Sequence, residues 1–89
     1  MSLPFVPIEL VAIDPARNMS RRWSVVAYRD LFGHVLVETS WGRIGTRGQH
    51  LLQSFPDEAD AARYVAGLLR IRASAPKRIG VRYAEAGYS

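Results

Sequence analysis

Four short runs rich in β-branched and aromatic residues, separated by Pro, Asp, Asn and Gly, precede a single segment of helical period, and this succession constrains the fold more than any other feature of the chain. Ile8 to Ile13 is the first run and stops at Asp14-Pro15. Asp14 to Arg22 is polar, contains Pro15 and Asn18, and is expected as a loop. Trp23 to Tyr28 and His34 to Trp41 are strands joined by Asp30-Leu31-Phe32-Gly33, which has the Asp and Gly of a tight turn. Gly42, Gly45 and Gly48 punctuate a second hairpin connection, and Gln49 to Phe55 follows with Leu51 and Phe55 on one face. Asp57 then caps a helix, with Glu58 and Asp60 favouring the positive end of its dipole. Ala61, Val65 and Leu68, with Tyr64 and Ile71 beside them, form its buried stripe. The helix is expected to fade near Ser74, ahead of Pro76, with Ile79 to Tyr83 as a short last strand. The fold class is α+β: an antiparallel β-sheet of four to five strands with one α-helix packed across it.

The chain has 89 residues and divides as an extended N-terminal arm (1–7), one domain (8–83) and a C-terminal tail (84–89). Pro4, Pro7 and Glu9 interrupt any apolar signal region, and no run approaches the roughly 20 apolar residues of a membrane span. Absence of cysteine excludes disulfides, thiol nucleophiles and cysteine zinc sites and fits a cytoplasmic location. No membrane partner is expected, and oligomeric state is left open.

Chemistry of the enzymatic kind is missing. His34 and His50 stand apart with no ligand spacing, and Asp57, Glu58 and Asp60 are explained by helix capping. No nucleophile elbow or phosphate loop occurs, and the Gly42/Gly45/Gly48 series joins two strands, not a strand and a helix. No catalytic activity, metal or organic cofactor is expected.

Charge points elsewhere. Twelve Lys and Arg against eight Asp and Glu give a net charge of +4, and only Lys77 among the basic residues is not Arg. Arginine suits phosphates through its planar donor fork, although a GC-rich genome produces the same bias. Position says more. Arg63, Arg70, Arg72, Lys77, Arg78 and Arg82 fall between Ala61 and Ala84 with no acid among them, a field that attracts polyanions. Six phosphate contacts would give a log–log salt slope of about −5.

The segment Trp41-Gly42-Arg43-Ile44-Gly45-Thr46-Arg47-Gly48-Gln49 resembles the signature of the WGR domain family. That family occurs in DNA-damage-dependent poly(ADP-ribose) polymerases and in bacterial proteins where the domain stands alone, and this chain looks like one of the latter. The likeness extends to Ile13–Met19, Leu31–Gly33, Ser54–Ala62 and Lys77–Tyr83, covering roughly residues 8 to 83. The resemblance implies a non-catalytic module that binds DNA ends or breaks without sequence specificity, DNA being favoured over RNA. Carried over, Trp41 packs on the terminal nucleotide and Arg43 contacts DNA or a neighbouring domain. Asn18 is a donor for the terminal phosphate. Lys77, Arg78 and Tyr83 belong to the basic tail, although a second Gly-Tyr at Gly87-Tyr88 makes the alignment of Tyr83 ambiguous. Arg47, at the tip of the glycine-flanked loop, is either a solvated charge or a phosphate contact.

Two alternatives stay open at this stage. Regular alternation puts Val35, Val37, Thr39, Trp41 and Arg43 on one face, making Trp41 a core aromatic with Arg43 at its rim, unless a bulge at Gly42 re-aims them. Trp23 is expected as half-buried sheet packing. The alternative function is a protein–protein interaction module whose partner docks on the WGR surface.

Overall fold

The computed structural model describes residues 3–85, the side chains of Arg78 and Ile79 excepted. Five antiparallel strands form one sheet in the order β4-β3-β2-β1-β5: β1 Ile8–Asp14, β2 Met19–Arg29, β3 Val35–Arg43, β4 Gln49–Phe55 and β5 Ala84–Glu85. Helix α1, Glu58–Ala73, crosses one face, and a short helix α2, Ala75–Ile79, follows it. The expected α+β architecture is therefore present.

Alternation within β2 and β3 builds the core. Trp23, Val25 and Ala27 of β2 and Val35 and Val37 of β3 point to the helix side, where Ala61 and Val65 of α1 meet them. Leu3, Ile8, Leu10, Phe55, Leu68 and Leu69 pack around this centre. Leu3 and Pro4 lie against the sheet while residues 5–7 are exposed: Pro4 is buried, and its carbonyl accepts from the Ala27 N–H at 2.8 Å. On the uncovered face, the Ser24 and Ser40 hydroxyls share a hydrogen bond across the β2–β3 pair.

Three local expectations need correction. The segment 14–22 is not a loop. A 3-10 turn at Pro15–Arg17 and Asn18 in the left-handed region (φ 52°) reverse the chain tightly, so β2 begins at Met19. The polar Ser20, Arg21 and Arg22 hold strand geometry through their ladders rather than by propensity, which hid the strand. The helix fades at Ser74 as expected, α1 ending at Ala73, but a second short helix follows with Pro76 in its first turn, where its missing N–H costs no bond. The last strand accordingly falls at Ala84–Glu85, against Val11 and Leu10, and not at 79–83. Finally, Ile71 is exposed. Ten residues past Ala61 leave it about 80° off the buried row, whereas Arg72 returns to within about 20° of it.

Asp57 caps α1 by accepting the Asp60 N–H at 2.9 Å, and Asp60 does not return the favour but pairs with Arg63. Arg29 at the end of β2 pairs with Glu58, fixing the helix start to the sheet. The β2–β3 turn is closed by Asp30, whose Oδ1 accepts from the N–H groups of Phe32 and His34, both at 2.9 Å. It leaves Leu31 and Phe32 at the tip 99% and 86% exposed.

The β3–β4 connection is the tightest point. A Cβ on Gly42 would lie 2.8 Å from Gly48 Cα, and one on Gly48 would lie 2.2 Å from the Trp41 carbonyl oxygen. Gly48 also has φ +68°, a conformation other residues adopt only with strain. Gly48→Ala is expected to destabilise the protein by about 2–4 kcal/mol, from left-handed strain plus overlap. Gly45→Ala, at φ +88° with open space around it, should lose only about 1 kcal/mol. Urea denaturation distinguishes them, and equal losses would mean the Gly48 contact yields easily. Asp57→Ala should lose about 1 kcal/mol in the same assay through the missing cap.

Candidate nucleic-acid interface

The register between β2 and β3 runs without interruption from Arg29↔Val35 to Arg21↔Arg43. No bulge occurs at Gly42, so Trp41 stays on the helix-covered face opposite Trp23, and Arg43 stands directly opposite Arg21. Trp23 is buried at 3% exposed, deeper than the half-buried packing expected, while Trp41 is half-buried against it. The two prospects for Trp41 thus meet in one residue. It packs on the core and also lines a cleft.

That cleft has a volume of about 480 Å³ and lies where β2 begins and β3 ends. Arg17, Arg21, Arg22, Arg43 and Arg72 line it, together with Asn18, Trp41 and Tyr83, and none of its lining residues is acidic. Like charges placed directly opposite on one face of an antiparallel pair repel. Arg21 has no carboxylate partner among the described residues, and the guanidinium of Arg43 bonds only the neutral Asn18, at 3.1 Å to its carbonyl and 3.1 Å to its Oδ1. Asn18 reaches this position because its left-handed backbone ends the 3-10 turn. Arg22 is braced differently, donating to the carbonyls of Thr46 and Arg47 at 2.7 Å each and so tying the glycine loop to the sheet. Arg17 bonds Asp14 at 2.8 Å, and this hydrogen bond holds the Asp14 carboxyl below its ordinary value against the opposing effect of burial. Arg72 arrives from the end of α1. Its guanidinium sits 5.2 Å from the Trp23 ring and 5.8 Å from the Tyr83 ring, in cation–π contact with both.

Of the residues expected from the sequence, Trp41, Arg43, Asn18 and Tyr83 converge on this cleft. Arg47 is exposed on the loop and contributes its carbonyl rather than a cleft wall, and Lys77 is exposed on α2, away from the cleft lining. The side chain of Arg78, like Gly87 and Tyr88, lies outside the described residues. The described members of the C-terminal basic cluster do not form one surface: Arg63 pairs with Asp60, Arg70 borders a shallow groove elsewhere on α1, and among the described side chains of the cluster only Arg72 lines the cleft. Sequence reasoning missed Arg17, Arg21 and Arg22, and it had Arg72 only as a member of the basic cluster, not as a wall of the cleft. Alternation extended back from Trp23 would have found Arg21, and the Tyr64–Leu68–Arg72 spacing would have found Arg72.

Among the described residues no group of three His, Cys, Asp or Glu side chains is arranged to hold a metal ion. His34 lies 3.4 Å from Asp30 at the far end of the β2–β3 hairpin, and His50 is exposed on the edge strand. No described helix is long and apolar enough to cross a membrane.

The family model of the WGR domain matches residues 7–74. Among curated proteins, the uncharacterized protein y4dW of Sinorhizobium fredii is 43% identical over 58 residues, which is 65% of this chain and 28% of that relative. The chain therefore spans well under a third of the relative's length. No solved structure matches it. The WGR domain is a non-catalytic module whose general role is nucleic-acid binding, and the sheet, the single crossing helix and the Trp41-Gly42-Arg43 signature at the cleft agree with the match: the chain belongs to the WGR domain family.

Proposed function

We propose that the protein binds DNA at ends or breaks without reading sequence, through the cleft built by Trp41, Arg21 and Arg43. The observation that carries this reading is the unrelieved Arg21–Arg43 opposition beside a half-buried indole, in a cleft lined by five arginines and no acid. A duplex end offers the complement. Its last sugar and base expose a flat apolar surface for Trp41, and its terminal phosphate separates and neutralises the two guanidinium groups. Arg43 occupies the Oδ1 of Asn18, leaving the carboxamide NH2 as the donor toward a phosphate oxygen. These contacts address charge and shape, which every sequence shares. The same arginine-rich lining makes a polypeptide partner on this surface a matter of acidic segments only.

Fluorescence anisotropy on two duplexes of equal length, one with open 5′-phosphorylated ends and one capped by hairpins, tests the reading. Open ends should bind more tightly, and Trp41→Ala should weaken that binding by roughly tenfold or more, the worth of one stacked ring. Equal weak binding to both duplexes, indifferent to Trp41, would overturn end recognition and direct attention to a protein partner. Salt dependence gives a second check. With Arg21, Arg22 and Arg43 as the cleft cations that contact phosphate, Arg17 being paired with Asp14 and Arg72 held over Trp23 and Tyr83, the log–log slope should be about −3, not the −5 of a six-contact surface. Arg21→Ala should reduce its magnitude by about one. A slope near zero would exclude phosphate contacts.

A further inference from the structure

Behind Trp41, the space between sheet and helix opens into a second cavity of about 250 Å³. Thr39 and Leu51, paired across β3 and β4, form its sheet side, and Tyr64, Leu68 and Arg72, spaced by four along α1, form its helix side. Trp41 and Arg72 line both this cavity and the basic cleft, so the two spaces share walls.

We infer that this cavity receives one unpaired nucleobase turned out from a nucleic-acid end whose sugar and phosphate occupy the cleft. The inference rests on the reading proposed above. Thr39 is only 3% exposed, and its Oγ1 has no hydrogen-bond partner among the described residues. A buried hydroxyl left unpaired is unfavourable in the free protein, and an entering group with polar edges relieves it. The remaining walls are apolar or aromatic except for Arg72, whose guanidinium lies over the Trp23 ring, and both a flat ring and a planar guanidinium are surfaces on which a heterocycle stacks. The volume lies below the roughly 300–1,000 Å³ of sites for drug-sized ligands, which suits a single planar ring system. A hydroxyl both donates and accepts, so Thr39 meets any of the four bases and adds no sequence preference. A base that has already lost its pairing partner enters at the lowest cost in unstacking.

The experiment compares three sets of duplexes with one common sequence: blunt, carrying a single unpaired nucleotide at the 5′ or 3′ end, and carrying an abasic residue at that unpaired position. In anisotropy titrations the wild type should bind the unpaired base about tenfold more tightly than the abasic analogue at one of the two ends. Thr39→Val, nearly equal in volume but lacking the hydroxyl, should shrink that ratio to about threefold or less. Leu51→Trp fills the cavity from the half-exposed edge strand, where a larger side chain is tolerated, and should abolish the ratio while blunt-end binding persists. Circular dichroism and melting confirm that both variants fold. Equal affinity for base and abasic overhangs at both ends overturns the inference alone, provided Trp41→Ala still weakens blunt-end binding. So does a full base preference in both variants. If no duplex senses Trp41, the inference and the underlying reading fall together.

Discussion

The continuous pairing of β2 with β3 is the constraint on which the rest of the molecule depends. One register carries the core at its middle, where Val25 and Ala27 face Thr39 and Val37, and the candidate site at its end, where Trp23 faces Trp41 and Arg21 faces Arg43. A slip of one residue would turn both sets to the uncovered face together. The pairing reaches its last positions because Gly42 and Gly48 let two backbones approach more closely than any side chain allows, and because Arg22 ties the following loop by two carbonyl bonds. Glycine in the family signature is thus a matter of backbone distance, while its neighbours Trp41 and Arg43 line the cleft.

The same end of the sheet departs from good packing practice in several ways at once. Two arginines oppose each other without a carboxylate between them, an indole is only partly covered, and a buried threonine hydroxyl lacks a partner. Elsewhere the chain is orderly: Asp57 caps the helix, Glu58 meets Arg29, and Asp30 closes its turn with two backbone N–H groups. Local rules broken together in one place, and obeyed around it, are the physical mark of a surface shaped for something other than stability.

Much of the fold was legible in the sequence because period and punctuation are local signals. Strands three and four, the Asp30–Gly33 turn, the Asp57 cap and the Ala61–Val65 stripe all follow from neighbours in the chain. Two of the failures share a cause, since each depended on a partner distant in sequence. Met19–Arg22 is polar and looks like loop, yet it is held as strand by ladders on both sides. Arg72 looked like part of a basic surface cluster, and only tertiary packing sets it over Trp23 and Tyr83. For the candidate site, Trp41, Arg43 and Asn18 carried a motif, whereas Arg21 carried none. Its place became visible only when the register set it across from Arg43.

The Arg21–Arg43 opposition has a dynamic consequence. It lies at the end of the β2–β3 pairing remote from the Asp30 turn, where the ladder terminates. Repulsion there weakens the last pairs of the ladder, and on the proposed function an anion held between the guanidinium groups would work as a clasp. Occupancy of the cleft and closure of the sheet would then be one linked equilibrium, in which each would stabilise the other by the same free energy. Slowed amide exchange at Met19 to Arg22 would be a property of the occupied protein, and the hairpin would report through its own rigidity whether the cleft is filled.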